Sequence, residues 1–212
     1  MVSAPRISTR FVLVLLLYAS SVLGEATRQD DARSLAEQAF AANKQGNALE
    51  KDWDAAYDRG IALANQAIAL DPGLADAYYA LFLNLGRKSE RGGMTSQMKN
   101  LSELKRLIDR TLELDPNHAH AWEAKGEMLV RLPRLLGGSM SEGEKALRRS
   151  AELAPQWPKP RLRLAEIEWR DGQREAARSA ARQARDLALA IGDEDYIKEA
   201  EALLKEIGEP SS

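Results

Sequence analysis

Three hexapeptides of one design recur along this 212-residue chain: AIALDP at 67–72, TLELDP at 111–116 and SAELAP at 150–155. Each reads as the last turn of a helix closed by a proline. The proline ring removes a backbone donor and clashes with the preceding turn, so the helix cannot continue. A second helical pattern follows each one: LADAYYALFLNLG, HAHAWEAKGEMLV and PKPRLRLAEIEWRDG. Internal repetition on this scale predicts stacked helix pairs, because one pair cannot bury its apolar face alone. An abundance of Ala, Leu, Glu and Arg supplies the strong helix formers such an array needs.

Small residues stand where neighbouring helices must approach closely, at Ala39, Gly126 and Ala165; Phe82 departs from this pattern. With Pro116, Trp122 and Gly126 in one repeat and LAEIEWRDGQREAA (164–177) in the next, the chain resembles the tetratricopeptide repeat (TPR) family. In that segment Leu164, Ala165, the turn Gly172 and the packing Ala177 fall at the family's spacing. The resemblance covers most of residues 31–190. It implies an all-α, right-handed α-solenoid of antiparallel helix pairs, with the first helix of each pair lining a concave groove. The prolines are 44 and 39 residues apart, at 72, 116 and 155, against the family's usual ~34. The additions are expected inside repeats, in expanded turns or a longer second helix. The reading is therefore about four repeats over 25–192. A C-terminal capping helix and tail follow over 193–212, with Asp193 as N-cap and Tyr196, Ala200, Leu203, Leu204 and Ile207 facing inward.

Residues 1–24 read as a signal peptide. Arg6 and Arg10 precede the apolar run FVLVLLLY (11–18), and small residues then lead to a cleavage point before Glu25. The run is too short for a comfortable membrane span, so a cleaved leader and a periplasmic or secreted protein are expected. Its removal would move the net charge from −2 to −4. That balance argues against nucleic acid as a partner. The chain has no cysteine, which excludes disulfides, a lipoprotein thiol, cysteine metal sites and a cysteine nucleophile.

The LVRLPRLLGGSMSEGEKALRRSAELAP stretch (129–155) invites a catalytic reading, with Gly137-Gly138 before Ser139 and Ser141. A phosphate loop would need a preceding strand and a Gly-Lys-Ser/Thr ending, and a nucleophile elbow would need Gly-x-Ser-x-Gly. Neither is present. Ser141 lies three residues before Glu144, a capping-box spacing, and Gly92-Gly93 echoes the double glycine one repeat earlier. The glycines are thus expected to make turns with positive φ. His118 and His120 point about 200° apart on a helix and lack a third ligand, so no metal site follows. No catalytic residue and no cofactor is implied.

The groove supplies the candidate partner-binding residues. Cations stand nine residues after each leading contact residue: Lys44 after Leu35, Arg87 after Tyr78, Arg131 after Trp122, and Arg170 after Arg161. This is a possible basic ladder for an acidic or C-terminal peptide, although cations also favour helix C-termini through the macrodipole. Four residues earlier stand Phe40, Leu83, Glu127 and Glu166. Glu127 and Glu166 are placed to pair with Arg131 and Arg170, and they argue against the chaperone-type carboxylate clamp. Tyr79, Glu123, Leu162 and Trp169 complete the set, with Phe40, Tyr79 and Leu83 as an apolar patch in the N-terminal half. The expected function is a non-enzymatic scaffold in the periplasm or envelope that binds a protein or peptide, with no membrane span in the mature chain. The alternative is an accessory protein like the T components of periplasmic transporters, taking a substrate-binding protein or an apolar ligand. A hydrolase using Ser139 or Ser141 ranks last.

Overall fold

In the computed structural model, described for the backbone of residues 9–208 and the side chains of 24–208, the chain is all-α. The basic end of the expected leader and the side chains of its apolar run lie outside the described residues, as does the tail 209–212. Among the described residues no helix is long and apolar enough to cross a membrane. The helices fall into two compact units, 1–110 and 111–212.

The first unit is built on α1 (Thr9–Ala48), α2 (Trp53–Leu70) and α3 (Ala75–Arg91), with most of α4 (Met94–Leu114). Ala32, Ala36, Ala39 and Ala42 make a buried stripe along α1, and Ala56, Gly60, Ala64 and Ala67 make one along α2. Small side chains on both faces let these helices lie close together. Gly46 is required for this: a Cβ there would stand 2.6 Å from the ring of buried Tyr57. The Tyr57 hydroxyl donates to Asn47 Oδ1 at 2.8 Å, which satisfies its one buried polar group. α3 has Phe82 in place of a small residue. Its close approach to α2 comes instead from Gly60, against which the fully buried Asn84 is seated. Asn84 Nδ2 donates to the carbonyls of Ala39 (3.0 Å) and Ala80 (2.9 Å), tying α3 to α1.

The second unit comprises α5 (Ala119–Arg131), α6 (Met140–Leu153), α7 (Pro158–Arg170), α8 (Arg174–Ile191) and α9 (Glu194–Ile207). Gly126 and Gly143 bring α5 and α6 together: a Cβ on either would stand 2.9 Å from the other's carbonyl oxygen. Leu162, Ala165, Ala177, Ala181 and Ala184 form the α7–α8 core. α9 caps it, adding Ala200, Leu203, Leu204 and Ile207 with Tyr196 partly buried beside them. Asp193 accepts from the Tyr196 N–H at 3.2 Å as N-cap. Burial of each large aliphatic side chain stabilises the cap by about 1.5–3 kcal/mol.

The recurring prolines have a partner in every repeat. Tyr78 Oη, Trp122 Nε1 and Arg161 NH1 each donate to the carbonyl of the proline six residues earlier, at 3.2, 2.9 and 2.9 Å. In these three repeats the leading residue of the first helix therefore clamps the turn before it, which explains why three chemically different donors occupy one position.

The turns need two corrections. Ser139, not Ser141, caps α6; its hydroxyl accepts from the Glu142 N–H at 3.3 Å. Helix geometry decides this, since α6 already begins at Met140. The two double glycines differ in both conformation and length, the left-handed residue being the second glycine of one pair and the first of the other. Gly93 (φ 81°) and Gly137 (φ 83°) are both left-handed. Residues 92–93 alone join α3 to α4, whereas residues 132–139 form a loop with a 3-10 turn, Arg134–Leu136, between α5 and α6. The extra length of the earlier repeat lies in its helices, 17 residues in α3 and 21 in α4.

Candidate functional site: the inner faces of the first helices

In the first unit, α1 and α3 pack side by side and present an aromatic cluster. The Phe40 and Tyr79 rings are 6.2 Å apart, and Tyr79 stacks on Phe82 at 6.0 Å. Tyr79 is buried as the floor, while Phe40, Phe82 and Leu83 are half-buried and keep apolar surface open. Offset and tilted ring pairs at such distances add to area burial and hold the cluster rigid. One helical turn past Phe40 and Leu83 stand exposed Lys44 and Arg87, the latter bonded to Glu90 at 2.9 Å. The patch of Phe40, Tyr79 and Leu83 thus acquires a fourth member in Phe82, three residues from Tyr79 on the same helix face.

The second unit carries a network of charge on α5, α7 and α9. Lys159 Nζ lies 2.8 Å from Glu123 Oε1 and 3.2 Å from Glu127 Oε2. Arg163 reaches Glu127 (3.7 Å), Glu166 (2.6 Å) and Glu199 of α9 (3.2 Å). Arg131 closes on Glu127 at 2.8 Å. Glu123 is almost wholly buried. Burial pushes its carboxyl up to about 7, helped by the neighbouring Glu127 and opposed by Lys159. Burial also pushes at Glu127, but Lys159, Arg131 and Arg163 outweigh it and hold that carboxyl below its usual value. Lys159 is held protonated above its ordinary range because the two glutamates overcome its own desolvation.

These placements sort the expected groove residues. Glu123, Glu127 and Arg131 do come together, with Glu127–Arg131 paired as the i, i+4 spacing predicts. Glu166 pairs with Arg163 rather than Arg170, whose guanidinium rests against the Met140 sulfur. Leu162 is fully enclosed in the α7–α8 core and is not a surface for a partner. Trp169 is partly buried, its Nε1 donating to Glu206 at 3.0 Å and Arg174 lying 5.5 Å over its ring. Lys159 and Arg163 lie outside the ladder that the cation spacing picks out. Their signal is an i, i+4 cation pair on one first helix facing an i, i+4 acid pair, Glu123 and Glu127, on the adjacent one.

The remaining candidates are structural. His118 Nδ1 accepts from the Ala121 N–H at 3.1 Å at the start of α5, and His120 stacks edge-on to Trp157 at 4.2 Å. Among the described residues no group of three or more His, Cys, Asp or Glu is arranged to hold a metal.

Solved structures similar to this fold are TPR proteins. Pseudomonas aeruginosa PilF shares 15% identity over 87% of this chain and 80% of its own, with a TM-score of 0.54. MamA shares 14% over 76% and 81%, with a TM-score of 0.52. A MamA RS-1 double mutant shares 15% over 77% and 78%, with a TM-score of 0.51. At these identities the likeness is one of fold, and it identifies the helix pairs as TPR-type. No curated protein matches the sequence. The family model described as Regulator of microtubule dynamics protein 1-3 matches residues 17–129, more than half of the sequence, and the chain belongs to that family.

Proposed function

We propose that this protein is a non-enzymatic scaffold whose first unit takes an apolar-anchored segment of a protein partner on the face of Phe40, Tyr79, Phe82 and Leu83. The observation that carries this reading is the half-open aromatic cluster on two adjacent first helices. Rigid aromatic anchors are the side chains on which binding free energy concentrates at protein interfaces. Lys44 and Arg87 at the ends of the same helices favour acidic residues flanking the apolar anchor. The charged face of the second unit supports a lesser role in binding, because its cations already hold carboxylates of their own chain.

The decisive experiment compares proteins retained by the wild type and by the double variant Phe40→Ala/Leu83→Ala, with helical content checked by circular dichroism. Loss of the principal partner from a folded variant supports the reading, and unchanged retention sinks it. The leader-like N-terminus supports export, which makes an envelope protein the partner. N-terminal sequencing of the fractionated protein tests this, and an intact Met1 argues against it. The family match favours a second reading, a cytoskeletal partner. Co-pelleting with polymerised tubulin, abolished by the same double variant, is its test.

A further inference from the structure

We propose that the 132–139 loop of one copy docks into the cavity between α1 and α2 of a second copy, making a weak self-association. The loop is ordered from within. Leu136 N–H donates to Pro133 O (2.9 Å), Gly137 to Arg134 (2.9 Å), Gly138 to Pro133 (3.0 Å) and Ser139 to Leu129 (2.9 Å). Gly138 passes so close to the Leu132 carbonyl that no Cβ fits there. This framework holds Leu135 fully exposed at the tip, beside exposed Arg134. An apolar side chain fixed in solvent by a rigid turn loses little freedom on binding, so its burial is retained as affinity.

The receiving hollow, about 450 Å³ and open to solvent, is walled by Asn47, Ala48, Leu49, Trp53 and Arg91, with Glu50 exposed at its rim. Arg91 is committed to the wall: its NH1 donates to the Leu49 carbonyl at 2.7 Å, and its guanidinium lies 5.6 Å over Trp53. Its charge is partly satisfied there, leaving Glu50 as the acid that an incoming cation meets. In the docked pair Leu135 seats against Leu49 and Trp53 while Arg134 faces Glu50, so the charges are complementary. The contact joins two different surfaces of the chain. It generates closed rings or open chains of copies according to the rotation between them. One apolar anchor and one ion pair bury little area, so association belongs in the weak, transient class.

Sedimentation velocity of the full chain at rising concentration is the test. Association should appear at high concentration, weaken at least tenfold in Leu135→Glu, and be lost in Arg134→Glu and in Glu50→Arg. The double variant Arg134→Glu/Glu50→Arg should restore it. All three positions are solvent-exposed, and circular dichroism checks the fold of each of the four variants. A chain that stays monomeric throughout overturns the proposal. So does association that persists in Leu135→Glu, or a charge swap that fails to restore it.

Discussion

The two units use the same helix-pair plan yet present opposite chemistry on their first helices. α1 and α3 expose an aromatic patch with cations at its edge, whereas α5, α7 and α9 close a network of acids and bases upon itself. The contrast shows that a repeat's packing face and its inner face are independent. Packing needs small residues such as Ala39, Gly126 and Ala165, while the inner positions are free to vary. Where acids on one first helix meet bases on the next, the charges are spent on internal order. Where aromatics meet, surface remains for a partner.

Four measurements press on this contrast. The largest effect is expected from Lys159→Ala, which leaves Glu123 and Glu127 without their shared cation. Chemical denaturation should show a loss of about 3–5 kcal/mol. Adding Glu123→Gln should recover part of it, and full additivity would break the picture of a coupled network.

The second effect is one of pH. Glu123 has a folded value near 7, above its unfolded value of 4.5. The folded state therefore binds the extra proton, and stability is highest at the low end of that window and falls as pH rises through it. The fall is on the order of 1–3 kcal/mol and should vanish in Glu123→Gln. Glu127, held low, works in the opposite sense below pH 4.5. A flat profile in the wild type would remove Glu123 from the buried network.

Third, the lengthened turn belongs to the second unit alone, and its cap can be located by stability. Ser139→Ala should cost about 1 kcal/mol, and Ser141→Ala, at an exposed position, should change little. Fourth and smallest in stability, Arg87→Glu is expected to lie within about 0.5 kcal/mol of wild type, because its pair with Glu90 is solvent-exposed. The same change should weaken partner capture by the first unit several-fold. Equal weakening by Arg131→Glu would erase the distinction between the faces.

Much of the fold was legible because it rests on local rules. The proline-terminated helices, the left-handed glycines and the Asp193 cap follow from periodicity, steric freedom and capping chemistry within a few residues. The cap of α6 was displaced by one turn-half because Ser139 and Ser141 both satisfy a Ser-x-x-Glu spacing, and only the path of the 132–139 loop distinguishes them. The basic ladder read from Lys44, Arg87, Arg131 and Arg170 missed where the charges close. Arg163 outcompetes Arg170 for Glu166, and Lys159 reaches across from α7 to two acids of α5. Leu162 carried the spacing of an inner-face residue but rotates into the α7–α8 core.

By itself, then, the sequence determined an all-helical repeat array, its proline-closed helix ends, its small-residue seams and the aromatic candidates Phe40 and Tyr79. These depend on contacts within one helix or between helices adjacent in the chain. The tertiary structure alone decided which charges neutralise one another, that Asn84 stitches α3 to α1, and that Leu135 stands in solvent on a rigid turn. The first two outcomes depend on distances between residues some 30 to 45 positions apart, such as 32 for Lys159–Glu127 and 45 for Asn84–Ala39, and the third on the path of the 132–139 loop, none of which a local periodicity encodes.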